Sequence, residues 1–285
     1  MPVLAKLLET IEQVPPLSAA ALRLLRLQGQ PDRSMNEIVQ IVEVDAGLTV
    51  AVLKASNSAA ALPAQPITSV RQALTYLGER MVLALAIAAC VPGGMTAPID
   101  GYQGERGALW RHSLRAAMAA RELSTRARYR VDSNLAFTAG ILHDIGKPVL
   151  STVLGAEGRQ ALAEAALRRE ADFGAVERAL AGMSHPEVGE ALARRWGLPA
   201  ALQVAIRHHH EPAQSPEDLR ALSYVVHVGV MHSVLTGHAC GVDDLCYRLD
   251  TGMLSVFDLS VVDFGALMER VDRTTAEAQS RVGEP

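Results

Sequence analysis

The chain marks its own helix starts. Ser34-Met-Asn-Glu37 is a capping box, in which the serine hydroxyl accepts from an orphan first-turn N–H and the acidic side chain reaches back. It opens a helix through about Val44. Ser69-Val-Arg-Gln72 repeats the device, and Gly78 closes that helix with a residue that tolerates positive φ. Ser184-His-Pro-Glu187 opens another, which Gly197 ends, and Pro199 stands at the start of the next. Ser260-Val-Val-Asp263 opens the last. Between these signals Ala and Leu dominate, aromatics make up only 4%, and β-branched alternation is scarce. The periodicity is therefore helical nearly everywhere, and the expected fold class is all-α.

The clearest interruption is 91–104, where two Pro and four Gly break the helical pattern. It divides the chain into an N-terminal helical subdomain (1–92, five or six short helices), a hinge-like linker (93–104) and a helical domain (105–285). The last dozen residues are polar and read as frayed. With 285 residues and 49% apolar side chains, a sizeable core is available without staples. The net charge of −4 gives no chain-wide electrostatic case for a nucleic-acid or anionic-membrane partner. The longest apolar run, Met81 to Val91, has 11 residues, short of the roughly 18–20 needed to cross a bilayer. Cys90, Cys240 and Cys246 are odd in number and lack zinc-ribbon spacing, so they read as ordinary thiols in a reducing compartment. The expected location is cytoplasmic.

All nine histidines lie in the C-terminal part. His112 sits on an apparent helix with Leu109, Ala116 and Ala120; His143 and Asp144 end an apolar helix just before Gly146; His185 falls in a capping box; His208, His209 and His210 stand where the helix from Pro199 should end. Each one alone is an ordinary hydrogen-bonded histidine. Together they describe a shared polar site in which imidazoles and a carboxylate from separate helices surround one point. Mixed nitrogen and oxygen ligation of this kind suits Fe(II), Mn(II), Zn(II) or Ni(II).

The segment Ala139-Gly-Ile-Leu-His-Asp-Ile-Gly-Lys147 resembles the signature of HD-superfamily phosphohydrolases, and the surrounding chain is more specifically similar to HDOD domains. Pro15-Pro16-Leu17, Val42-Glu-Val-Asp45, the stretch Leu48 to Asn57-Ser58, and Ile67 to Gly78 look like that family's N-terminal half. His185-Pro-Glu-Val-Gly189, Arg195-Trp196-Gly-Leu-Pro199 and His209-His210-Glu-Pro212 match its C-terminal half. The resemblance covers about residues 10–240. It implies a two-part helical fold ending in an HD-like bundle. It also implies a divalent metal (Fe, Mn, Zn, Ni or Mg) held by His112, His143, Asp144, His185, His209 and His210, with His208 facing elsewhere.

The family's distal Asp does not match, because Gly229-Val230 replaces the usual Ala-Asp. Valine cannot ligate, and loss of an anionic ligand weakens divalent binding. His227, one turn earlier, is a possible substitute, though it reads first as a hydrogen-bonded helix residue; Asp243 or Asp244 is the other source of a carboxylate. Asp45-Ala46 replaces the family's Asp-Pro at a helix start. Lys147 reads either as a phosphate contact or as a cation at a helix C-terminus. Seven Arg against two Glu between Glu105 and Arg130 give a local +5, either a solvated face or a surface for an acidic partner.

The expectation is a non-catalytic bacterial signalling protein of the HDOD type with a degenerate metal site. It would act through contacts with two-component or second-messenger proteins and through a phosphorylated small ligand such as a nucleotide. The alternative is a metal-dependent HD-type phosphohydrolase or cyclic-dinucleotide phosphodiesterase. A nucleic-acid binder is disfavoured by net charge and few aromatics.

Overall fold

The structure is a computed structural model that describes residues 2–27, 34–57, 63, 65–89, 91, 94–170, 172–257 and 261–282. Among these there is no β-strand, only isolated bridges at Ile99–Gly104 and Ala127–Phe257, so the fold is all-α as the periodicity requires. The sequence readings at Ser58, Cys90, Pro92, Gly93 and Ser260 lie outside the described residues.

The N-terminal elements are α1 (Pro2–Gln13), α2 (Ala19–Leu27), α3 (Met35–Glu43), α4 (Ala46–Ser56), α5 (Val70–Leu77) and α6 (Glu79–Ala88). Their starts follow the capping chemistry. Ser34 accepts from the Glu37 N–H, Asp45 from the Leu48 N–H, and the Ser69–Gln72 box is closed in both directions. Gly78 ends α5 at φ 81°. Asn57 then brackets the following loop, its amide donating to the Ile67 carbonyl and its oxygen accepting from the Ile67 N–H.

The C-terminal elements are α7 (Ala108–Ser124), α8 (Ser133–Leu142), α9 (Gly146–Val153), α10 (Ala156–Leu167), α11 (Phe173–Ala181), α12 (His185–Arg195), α13 (Ala200–His208), α14 (Arg220–Leu235), the single turn α15 (Met253–Val256) and α16 (Val261–Val282). Helix α7 is the centre of this part and packs against α8, α14 and α16. It can do so because Ala116, Ala117, Ala119 and Ala120 are fully buried and small. The facing Gly140 of α8 lies so close that a Cβ there would come within 2.5 Å of the Ala117 Cα.

Two elements lie across the 93–104 stretch. Helix α1 packs against α9, α11 and α12, and α16 packs on α7 while touching α4 and α5. The Arg195 Nε donates to the Val14 carbonyl and the Trp196 indole to the Pro15 carbonyl, so two motifs that resembled a family separately meet in space. Residues 95–104 are themselves packed, with Met95, Ile99 and Tyr102 buried. One expectation is corrected. The last dozen residues are not frayed from their start, because α16 continues to Val282 with Thr275 fully buried and its hydroxyl donating to the Val271 carbonyl.

The Gly140 contact leaves no room for a branched side chain. Gly140→Val should cost about 1–3 kcal/mol by overpacking, read as a lower urea midpoint with an unchanged slope.

Candidate metal centre

Helix starts and stops place the site. The Asp132 carboxylate caps α8 by accepting from the Asn134 and Leu135 N–H groups, and the helix ends with His143 at its C-cap. Asp144 and Ile145 form the bend into α9. Gly146 is required there, because a Cβ would meet the His185 carbonyl oxygen and come within 2.7 Å of the Gly189 N. This close approach brings the first turn of α9 against the first turn of α12, and so Asp144 to His185. His112 comes from α7, and His209 and His210 follow α13. The six residues singled out by the sequence are thus gathered from four helices into one cluster, all fully or almost fully buried except His210, which is half-buried.

Each inner imidazole is held by its Nδ1. His112 donates to the His238 carbonyl (2.8 Å), His143 to the Gly140 carbonyl (2.8 Å), His209 to the Ile206 carbonyl (2.8 Å) and His185 to the Glu177 carboxylate (2.8 Å). With Nδ1 carrying the proton, every neutral ring turns an Nε2 lone pair inward, the second-shell arrangement of metal-ligating histidines. The Nε2 atoms of His112 and His143 then face each other at 3.1 Å, as do those of His185 and His210. Two lone pairs at that distance need a proton or a metal cation between them.

Asp144 lies at the middle. Its Oδ1 is 3.3 Å from His185 Nε2 and 3.5 Å from His209 Nε2, and both Oδ1 and the His209 Nε2 are buried without a hydrogen bond. Its Oδ2 is 3.2 Å from His143 Nε2, 3.8 Å from His112 Nε2 and 2.9 Å from the Lys147 Nζ. Two sets of ligand atoms, each within 4.8 Å of one another, share this carboxylate: Asp144, His185, His209 and His210, and then His112, Asp144, Cys240 and Asp244. The orphaned Asp144 Oδ1 and His209 Nε2 of the first set, with the His185 and His210 rings beside them, fit a divalent cation of the imidazole-preferring class.

The electrostatics follow from burial and these pairings. Burial opposes the Lys147 charge, yet Asp144, Asp243 and Asp244 together hold the ammonium well above the usual lysine range. His185 is likewise raised, to about 10, because Glu177 and Asp144 outweigh burial. His209 is pushed down to about 3 by burial, and burial also lowers His112 and His210. Burial pushes Asp243 up to about 7, whereas Lys147 and His112 overcome burial and draw Asp244 down to about 2.

Several sequence readings change. Lys147 is in the first turn of α9, so it is no helix C-terminal cation; its Nζ meets Asp144, Asp243 and Asp244 at 2.9–3.0 Å. Cys240 is a buried free thiol, and its sulfur lies 3.4 Å from both Lys147 Nζ and Asp144 Oδ2. Val230 is buried in α14, and the carboxylates near Lys147 come from Asp243 and Asp244 after that helix. His227 uses both ring nitrogens elsewhere, on the His209 carbonyl and the Asp250 N–H. His208 lies outside the metal-capable groups. Of the arginine run, Arg115 turns inward to Asp272 at 2.9 Å, whereas Arg106, Arg126, Arg128 and Arg130 are exposed. Glu177 and Tyr102 join the site without any motif to mark them: the Tyr102 hydroxyl donates to Glu177 (2.6 Å), which also accepts from the His185 N–H (2.8 Å). The one available signal was a lone acid on the apolar face of α11.

An all-helical fold with a His/Asp cluster at a helix junction defines an HD-related domain. The HDOD domain family model matches residues 14–212, and the chain belongs to that family. The crystal structure of an HDOD domain protein of unknown function from Geobacter sulfurreducens is similar at 23% identity and a TM-score of 0.66, covering 99% of this chain and 97% of that one. A Marinobacter aquaeolei VT8 protein, provisionally described as acting in signal transduction, is similar at 25% identity and a TM-score of 0.72, covering 96% of this chain and 60% of that one. An uncharacterised protein of Treponema pallidum (strain Nichols) is 25% identical over 218 residues, 76% of this chain and 42% of that protein. The chain therefore spans less than half of that curated relative. No helix among the described residues is long and apolar enough to cross a membrane.

Glu177→Gln keeps the shape but weakens the acceptor behind His185. Divalent-metal affinity should fall about 10–100-fold by isothermal titration, with the helical circular dichroism retained.

Proposed function

We propose that this chain is a regulatory HDOD module whose histidine–carboxylate cluster is a closed centre for one divalent cation, serving structure and signalling and not hydrolysis. The observation that carries this reading is enclosure. His112, His143, Asp144, Lys147, His185 and His209 are each exposed by 1% or less, and of the residues that would hold the cation His210 alone is half-buried. A hydrolytic centre needs an open coordination position reached by water and substrate. Asp144, His185, His209 and His210 would hold the cation, which would supply the positive charge that their lone pairs and orphaned oxygen call for. Loss of the distal carboxylate at Val230 supports a degenerate site. The description of the Marinobacter relative supports a place in bacterial signal transduction, with protein components of two-component or second-messenger pathways as partners.

One observation favours the hydrolase reading. Half-buried His210 lines a cleft of about 360 Å³ with Arg178, Arg207 and Arg248, of which Arg178 and Arg207 also pair with Glu187. Arginine forks suit phosphate, so a phosphorylated small ligand such as a nucleotide would enter here. The buried Tyr247 hydroxyl beside it has no hydrogen-bond partner.

Elemental analysis of tag-free protein, purified without chelator or oxygen and reconstituted, should find about one ion per chain, by the enclosure argument. Loading should raise the melting temperature, and phosphomonoesters and cyclic dinucleotides should not be turned over. Turnover that disappears in His143→Ala would establish the hydrolase instead, and a chain that stays empty would remove the metal from the reading.

A further inference from the structure

The two halves of the cluster differ in what already occupies them. On the Oδ1 side of Asp144, the carboxylate oxygen and the His209 Nε2 are buried with no hydrogen bond. On the Oδ2 side the space belongs to Lys147. An ammonium has three N–H donors. The Lys147 Nζ donates to Asp244 at 3.0 Å and to the Cys240 sulfur at 3.4 Å, and it lies 2.9 Å from carboxylate oxygens of Asp144 and Asp243 as ion pairs. The side chain is fully buried, so water contributes nothing to holding its charge.

Helix geometry makes this placement informative. Lys147 is the second residue of α9, and a cation at a helix N-terminus faces the positive end of the backbone dipole. Burial and the dipole both oppose the charge there. The carboxylates alone favour it, and two of them come from a loop about a hundred residues further along the chain.

We infer that the Lys147 ammonium fills the seat of a second cation. The centre then takes one divalent ion, on the Asp144 Oδ1 side, while His112, Asp144, Cys240 and Asp244 form a second seat that is closed as long as Lys147 is present. The four residues carry ligand atoms within 4.8 Å of one another, so the seat is already assembled. A divalent ion entering it would lie within a few ångströms of a fixed positive charge, at the low effective dielectric of a buried site, and would compete for the same oxygens. Removing the amine leaves Asp144, Asp243 and Asp244 without their common counter-ion, and a divalent cation is the natural replacement.

This rests on the centre proposed above, and counting ions separates the two. Chelator-stripped protein is titrated with Mn(II) and followed by elemental analysis and electron paramagnetic resonance. Wild type should bind one Mn(II) per chain with an uncoupled spectrum. Lys147→Ala, and the longer neutral Lys147→Met, should bind two with an exchange-coupled signal. One ion in both wild type and variants would overturn the inference and leave the centre standing. Two coupled ions in wild type would also overturn it. No ion in wild type would remove the centre itself and the inference with it. If the variants fail to fold, wild type loaded with Zn(II) decides by lysine side-chain nitrogen-15 NMR: a slowly exchanging NH3+ signal that persists on loading upholds the inference, and its loss overturns it.

Discussion

Everything in the C-terminal part is arranged around one carboxylate that points two ways. Asp144 sits in a bend of three residues between α8 and α9, and its oxygens address opposite sides of a sealed cluster. Such a group can be buried only if cationic and donor neighbours compensate its charge. His143, His185 and Lys147 do so, and together they outweigh burial and keep its pKa well below the usual carboxylate value. The backbone enforces the arrangement. Carbonyls at Gly140, Ile206 and His238 fix three imidazole tautomers, and the missing side chain at Gly146 lets the two helix N-termini approach. The carbonyls that fix His143 and His209 belong to the ends of the helices that carry those residues. The ligand face and the helix ends are thus one piece of geometry.

Local signals were the most legible part of the sequence. A serine three residues before Glu or Gln states where a helix begins, because the orphan N–H groups of its first turn need an acceptor wherever it packs, and α3, α5 and α12 start there. The six ligand candidates were legible for a related reason: histidine and aspartate next to helix ends in an otherwise apolar setting are rarely accidental as a set. Spatial partners were harder. Glu177 lies on a different helix from the histidine it supports, so their spacing of eight residues defines no shared helix face. Cys240 carried no spacing signature, because what matters is its contact with Lys147 and Asp144 across more than ninety residues.

Lys147 shows why a residue type does not fix a role. The motif placed a cation beside the His-Asp pair, and phosphate contact or a helix C-terminus were both consistent with that. What decides is the loop after α14, which returns Asp243 and Asp244 to the same point. The replacement of the distal aspartate by Val230 and the acidic pair downstream are read together only once the chain is folded. Carboxylates do stand near the cluster, and those of Asp243 and Asp244 face an amine.

The bond from the Tyr102 hydroxyl to Glu177 has a consequence for how the halves of the protein communicate. Tyr102 belongs to the segment that joins the N-terminal helices to α7, and Glu177 grips His185 at both its ring and its backbone. The connecting segment is therefore fastened to the support of a ligand and is no passive tether. Free-energy coupling between two sites is reciprocal. Were the proposed cation bound at His185, any contact that moved Tyr102 would change its affinity, and the cation would by the same coupling resist that movement. Tyr102 and His185 are thus joined through one carboxylate, and a displacement of either is felt at the other's bond to Glu177.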